Sequence, residues 1–150
     1  MTHENRTTQR LLDDALHLHQ NGRFSEAESL YRQILAINPR HPDCLHLLGM
    51  IAYQEGSFET AADMIRQAIA INPNYVRAAH VFLVGALALT GHDAEAREAL
   101  RRYLALPSVG PLKTIAAWRA YTEADHGDRR FVEARERMND GLRKAGMPEQ

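Results

Sequence analysis

The sequence predicts an all-α fold: a superhelical solenoid of three two-helix repeats, followed by two C-terminal helices. Three observations support this prediction. The chain resembles itself at an offset of 34 residues, where eleven of the 32 positions from 8 to 39 are identical to their counterparts. Apolar residues recur within each unit at steps of three and four, which is the spacing of an amphipathic helix. Glycine and proline stand at matching points of successive units, where helices are expected to end.

Each of the first two units is predicted to fold as two antiparallel helices. Gly22 and Gly56 lie between the helices, where a helix end favours a residue that adopts positive φ. The second helix of each unit is followed by a proline, which blocks its extension. Gly49 and Ala61 are small where the two helices of the second unit have to approach closely. The three repeats and their expected bounds are 8–41, 42–75 and 76–107.

The third unit keeps the two-helix pattern with its register moved by one residue. Gly91 matches Gly56 at an offset of 35, and Pro107 closes the unit with no asparagine before it. Beyond this proline the sequence no longer follows the repeat pattern. A helix is expected from Pro111 to Ala124, because proline is tolerated in a first turn.

A last helix is expected from about Arg129 to Lys144. Asp128 is its expected N-cap, and Gly146 and Pro148 form its stop signal. Charged residues fill most of its surface, and one apolar stripe remains. This pattern is typical of a capping helix that covers the end of a repeat array. The whole chain, 1–150, is therefore expected to form one domain with C-terminal capping helices over 111–146. The stripe consists of Phe131, Ala134, Met138 and Leu142.

Composition excludes several functional classes. The formal net charge is −1, so no global basic field attracts nucleic acid. The longest apolar run, Val81 to Leu89, has nine residues and is too short to span a bilayer. The N-terminus has no apolar signal segment, and a cytoplasmic location is the expectation. No cofactor is implied, because glycine-rich phosphate loops are absent.

Neither a metal site nor a catalytic site is expected. Eight histidines are present, but none form a His-x3-His pair or an HExxH motif. His19 and His46 are the pair that is expected to meet across neighbouring units. Cys44 is the single cysteine, and His46, two residues further along a helix, does not face it, so no catalytic dyad forms.

The 34-residue unit resembles the tetratricopeptide repeat, and the resemblance covers residues 8–107. In that family, stacked helix pairs form a right-handed superhelix whose concave surface is lined by the first helix of each pair and binds an extended peptide or a partner helix. The stretch from Leu11 to Pro73 is similar to bacterial repeats ahead of glycosyltransferase domains of the O-GlcNAc-transferase type. The ending Gly141–Glu149 is similar to repeat regions that follow adenylate cyclase or winged-helix regulator domains. The residues that carry the family pattern in the second unit are Leu45, Leu48, Gly49, Ala52, Gly56, Phe58, Ala61, Ile65, Ala68, Ile71, Asn72 and Pro73.

The resemblance also places the residues that line the groove. They are apolar, or carry amide, imidazole and phenol groups suited to a peptide backbone. Lysine and arginine are absent from the positions that clamp a carboxylate in some family members. The expected partner-binding residues are Leu12, Leu16, His19, Gln20, His46, Met50, Tyr53 and Gln54. The third unit would contribute Ala78, Val81, Gly85, Ala88 and Leu89.

An alternative for the third unit is that its lining is core, covered by the helices after Pro107. The first helix of this unit is apolar on all sides, which indicates burial on both faces.

The predicted function is protein–protein recognition through the groove by a non-catalytic module. The alternatives are a repeat module that belongs to, or is truncated from, a glycosyltransferase- or cyclase-type enzyme, and weak self-association through exposed repeat ends.

Overall fold

The computed structural model describes residues 2–75, 77–123 and 129–150. It confirms the all-α solenoid, and these residues form no strand. Within them, no helix combines the length and the apolar character needed to cross a membrane. The helices are α1 (His3–Gln20), α2 (Phe24–Ile37), α3 (Pro42–Gln54), α4 (Phe58–Ile71), α5 (Arg77–Leu89), α6 (Asp93–Leu104), α7 (Ile115–Glu123) and α8 (Arg129–Ala145), with a 3-10 turn at Pro107–Val109.

The turn inside each repeat has the same backbone geometry. Gly22, Gly56 and Gly91 have φ values of 74°, 81° and 81°, the left-handed region that glycine adopts without steric cost. After α3, the N–H of Gly56 donates to the carbonyl of Tyr53 at 3.1 Å, and the N–H of Ser57 donates to that of Ala52 at 2.8 Å. These two bonds form a Schellman motif, which satisfies carbonyls left free at the helix end.

Small residues bring the two helices of the second repeat together, as expected. A Cβ atom added to Gly49 would lie 2.5 Å from Cγ1 of Ile65 and 3.3 Å from the carbonyl oxygen of Ala61. Ala61 and Ile65 are themselves fully buried. A larger side chain at Gly49 would therefore push α3 and α4 apart.

The third repeat leaves the pattern at its end. In the first two repeats, the side chain of Asn38 or Asn72 accepts a hydrogen bond from the backbone N–H two residues later, at 3.1 Å in both cases. The third repeat has Leu106 at this point, and the chain enters the 3-10 turn instead. The segment then folds back on α6, because Tyr103 Oη donates to the carbonyl of Leu112 at 2.5 Å. Trp118 of α7 donates to the same hydroxyl at 2.7 Å, which links α7 to α6, and α7 itself packs on α8.

The predicted start of α7 at Pro111 is wrong. The helix begins at Ile115, and its first amides, those of Ile115 and Ala116, donate to the carbonyls of Pro148 and Glu149 at 2.9 Å. The C-terminal tail therefore satisfies helix-start donors that are otherwise orphaned. The tail is turned towards α7 by Gly146, which has a φ of 102° and ends α8 in another Schellman motif. The expected break at Gly127 and Asp128 lies outside the described residues.

The last helix does not cap the end of the array, and its position agrees with the alternative in which later helices cover the third unit. An end cap would pack mainly on α6, whereas α8 packs chiefly on α5 and also reaches α3. Ala134, Met138 and Leu142 of the predicted stripe are buried, and Met138 and Leu142 belong to the same core cluster as the residues of α5. The side chain of Phe131 lies outside the described residues. The stripe is therefore a buried face, but it covers the inner helix of the third repeat and not the end of the array.

Candidate functional site

The concave surface is built by α1, α3 and α5, the first helices of the three repeats. Its predicted residues differ in exposure along the array. On α1, Leu12 is 8% exposed, Leu16 and His19 are half-buried, and Gln20 is exposed. Leu12 therefore belongs to the core, and the other three side chains reach the surface.

His19 is held in place by aromatic neighbours from α2. Its ring contacts Phe24 edge-on, with ring centroids 5.1 Å apart, and its Nδ1 lies 3.3 Å from the hydroxyl of Tyr31. Burial lowers the pKa of His19, so the imidazole is neutral near pH 7. A neutral imidazole can both donate and accept a hydrogen bond.

His46 is less accessible than its position in the repeat suggested. It is 6% exposed, and its ring meets Tyr75 and Phe82 edge-on at centroid distances of 5.6 and 6.5 Å. Burial lowers its pKa to about 4, against an opposing effect of Asp43, and nearby His19 lowers it further. Asp43 is engaged by the hydroxyl of Tyr75, which donates to its carboxylate.

Tyr53 is not an exposed groove residue. Its side chain has no solvent exposure, and its ring packs edge-on against Phe58 at 5.0 Å and Phe82 at 5.2 Å. A Cβ atom added to Gly85 would lie 2.9 Å from the Tyr53 hydroxyl, so α5 closes over the ring. The neighbouring residues Met50 and Gln54 stay half-buried. Helical spacing places these side chains on one face but does not show that another helix covers part of it.

Most of the third repeat's predicted lining is core, which agrees with the alternative interpretation of the sequence, whereas Ala78 and Leu89 stay half-buried. Val81, Gly85 and Ala88 are buried, and α8 lies across them. A Cβ atom on Gly141 of α8 would lie 2.7 Å from Cα of Gly85, so the two backbones touch. The more open part of the concave surface therefore lies on the first two repeats. We call it the α1–α3 surface, and its partly exposed members are Leu16, His19, Gln20, Met50 and Gln54.

The structure offers little for chemistry at this surface. Cys44 is fully buried, and burial raises its pKa to about 12, so it is a protonated thiol at neutral pH. Among the described residues, no three His, Cys, Asp or Glu side chains lie close enough together to hold a metal ion.

A second concave feature, which the sequence did not reveal, lies between α4 and α6 with α5 at its floor. This cleft has a volume of about 580 Å³ and an apolar lining that includes Ile69 of α4 and Leu83 and Leu87 of α5. Its walls are joined by Arg66, which donates to Glu95 at 3.0 Å. His80 lines the cleft, and burial lowers its pKa. The sequence carried no signal for it, because the cleft is formed by residues of three separate helices.

Comparison with known proteins agrees with the repeat pattern. A tetratricopeptide-repeat family model matches residues 18–80. No curated protein matches the chain. Among solved structures, the chain is similar to a mutant of the Thermobaculum terrenum O-GlcNAc transferase, at 25% identity and a TM-score of 0.66. That match covers 96% of this chain and 27% of the transferase chain, so the present chain spans about a quarter of that protein's length.

Two other similar structures were solved with a bound peptide. One is the Yersinia enterocolitica type III secretion chaperone SycD with a peptide of the translocator YopD. It is 15% identical with a TM-score of 0.64, and the match covers 89% of this chain and 92% of that chain. The other is the first tetratricopeptide domain of Spaghetti (RPAP3) with an HSP90 peptide. It is 15% identical with a TM-score of 0.60, and the match covers 92% of this chain and 94% of that chain. At this identity the likeness concerns the fold.

Proposed function

Because this chain is built from tetratricopeptide repeats, we propose that it is a non-catalytic protein-interaction module that binds a segment of another protein on its α1–α3 surface. One observation carries the proposal. Leu16, His19, Met50 and Gln54 remain partly exposed on the first helices of two repeats, whereas the equivalent face of the third repeat is covered. The two peptide-bound structures of the same fold support it.

The chemistry of the α1–α3 surface suits a peptide with one apolar anchor. Leu16 and Met50 provide an apolar floor, and Met50 adapts its shape to varied side chains. His19 and Gln20 offer neutral hydrogen-bonding groups beside that floor.

The absence of charge on the lining residues defines the partner further. None of the five members of the α1–α3 surface is lysine, arginine or a carboxylate. Recognition of a terminal carboxylate or a phosphate would need such cations. We therefore expect an uncharged internal segment with an apolar side chain, and not a charged chain end.

Selection from a random-peptide library against the wild-type chain tests the proposal and does not require the natural partner to be identified first. Peptides that bind the wild type are measured against Leu16→Glu and Met50→Glu. Each substitution places a charge in the apolar floor, and a loss of about 30-fold or more in affinity is expected, which equals roughly 2 kcal/mol.

The matched control is Ile37→Glu. Ile37 is an exposed apolar residue, 44% accessible, at the end of α2 and away from the first helices. This variant should bind the selected peptides as the wild type does. An equal loss of peptide affinity in all three variants would contradict the proposal. So would unchanged affinity in both Leu16→Glu and Met50→Glu.

A second candidate function is that the repeats serve as one part of a glycosyltransferase. The similarity to the Thermobaculum terrenum O-GlcNAc transferase, of whose chain 27% is covered, favours it. Sequencing the genomic coding region around these residues decides between the candidates. An open reading frame that continues into a transferase domain would support the second, and a stop codon directly after residue 150 would support a free module.

A further inference from the structure

The cleft between α4 and α6 exists where the third repeat has a smaller side chain than the second. Ala99 of α6 lines this cleft and stands at the position that Met64 occupies in α4, because the third repeat follows the second at an offset of 35 residues. Met64 packs against the core cluster of the first two repeats, which includes Ile34 and Leu48. Alanine lacks the thioether chain of methionine, so the corresponding space in the third repeat is left open.

A polar side chain replaces an apolar one in the same cleft. His80 of α5 stands at the position of Leu45 in α3, again at an offset of 35 residues. His80 lines the cleft and is only 6% exposed. Burial of an imidazole in place of leucine costs free energy unless its polar atoms are hydrogen-bonded. The two departures from the repeat pattern therefore occur at one place, and they make it both more open and more polar.

His80 carries a hydrogen-bond acceptor that no described residue uses. Its ring is hydrogen-bonded to the backbone of Pro73, and a proline backbone offers only a carbonyl, so the ring is the donor. Nε2 is buried and has no partner among the described residues, which leaves Nδ1 as the donating atom. Burial lowers the pKa of His80 against the opposing effect of Pro73, so the ring is neutral near pH 7. Nε2 therefore keeps a free lone pair, which a ligand with one donor would satisfy.

The charged residues of the cleft favour a neutral ligand with an aromatic face. Arg66 donates to Glu95 at 3.0 Å, and Arg102 donates to Glu98 at 3.0 Å. The two positive and two negative charges balance, so the lining offers no net charge to attract an ion. Guanidinium groups also pack well on aromatic rings. The volume of about 580 Å³ is in the range of small-molecule sites.

We propose that the cleft between α4 and α6 is a binding site for a small neutral aromatic molecule with one hydrogen-bond donor, of the phenol or indole class. The ring lies against Ile69, Leu83 and Leu87, in the space that a methionine fills in the preceding repeat. The donor of the ligand bonds to Nε2 of His80. The walls of this site are the second helices of two repeats, so the proposal does not depend on the α1–α3 surface or on the proposed function.

Phenol and toluene test the proposal, because they have nearly the same shape and only phenol has a donor. Their binding to the full chain is followed by backbone amide chemical shifts. Phenol should bind saturably, with shift changes centred on the residues of the cleft. His80→Leu installs the residue of the preceding repeat and should reduce the ratio of phenol affinity to toluene affinity by about tenfold. Ala99→Met fills the cleft and should weaken both probes by about tenfold or more.

The matched control is Ala36→Met, which adds the same side chain at an exposed position of α2. It should bind both probes as the wild type does. Equal phenol affinity in the wild type and Ala99→Met would overturn the proposal. So would an unchanged ratio of the two affinities in His80→Leu, or phenol binding to the wild type that does not saturate.

Intermolecular nuclear Overhauser effects in the wild-type chain give an answer even if a variant does not fold. The ring protons of bound phenol should contact the methyl groups of Ile69, Leu83 and Leu87. Contacts only with methyl groups outside the cleft would overturn the proposal. Ala99→Met should bind the library-selected peptides as the wild type does, because Ala99 lies on α6 and outside the α1–α3 surface. Failure of this proposal and failure of the proposed function therefore appear in different measurements.

Discussion

Substitution of Tyr53 separates two contributions that one buried side chain makes to stability. Tyr53→Ala removes a fully buried ring that packs edge-on against Phe58 and Phe82 beneath α5. Truncation of a buried aromatic residue costs about 3–5 kcal/mol. Tyr53→Phe keeps the ring and removes a hydroxyl that has no hydrogen-bond partner among the described residues. An unsatisfied buried hydroxyl costs about 1–3 kcal/mol, so we expect Tyr53→Phe to raise the free energy of unfolding by about 1 kcal/mol.

Equilibrium urea denaturation followed by circular dichroism measures both variants. Met50→Ala is the comparison, because Met50 lies on the same helix but is only half-buried, and it should cost less than Tyr53→Ala. A lower free energy of unfolding for Tyr53→Ala together with a higher one for Tyr53→Phe is expected only of a buried ring with an unpaired hydroxyl. An unchanged urea midpoint for Tyr53→Ala would refute the burial of the Tyr53 ring. A loss of more than about 1 kcal/mol for Tyr53→Phe would show that the hydroxyl is hydrogen-bonded.

Three further predictions follow from the same contacts. Gly56→Ala places a Cβ in the left-handed region and should cost about 1–2 kcal/mol in urea melts, and an unchanged midpoint would refute the turn geometry. Ala61→Leu overpacks the contact of α3 with α4 and should cost roughly 1–3 kcal/mol, whereas a neutral effect would mean that the helix register is wrong. Burial lowers the pKa of His46 from 6.5 to about 4, so the unfolded state binds its proton first as pH falls. Stability should therefore decrease from pH 6.5 to pH 4, by roughly 3 kcal/mol from this residue at most, and His46→Phe should flatten that dependence in thermal melts.

The sequence predicts the repeats well because local chemistry determines them. Gly22, Gly56 and Gly91 mark turns that need positive φ, and each forms the same hydrogen-bonded motif. Asn38 and Asn72 end the second helices through side-chain bonds to nearby amides. These features depend on residues a few positions apart, so a single sequence contains the whole signal.

The features that sequence reasoning missed depend on contacts between distant segments. The start of α7 is determined by carbonyls of Pro148 and Glu149, more than 30 residues away. The burial of Tyr53 depends on α5, whose Gly85 lies against the tyrosine hydroxyl. Helical periodicity indicates that a face is apolar, but it does not indicate which other helix packs on it. The covering of α5 is the exception, because its apolar character on all sides already indicated burial on both faces. The glycines inside α5 and α8 are a further signal, because glycine inside a helix costs stability unless a close approach requires it.

The most direct test of the account is a map of backbone amide chemical-shift changes in the wild-type chain on addition of a library-selected peptide. We predict changes that centre on α1 and α3, around Leu16, His19, Met50 and Gln54, with the amides of α2 and α4 little affected. Changes confined to α2, α4 or the cleft between α4 and α6 would contradict the central claim that the open concave surface of the first two repeats is the binding site.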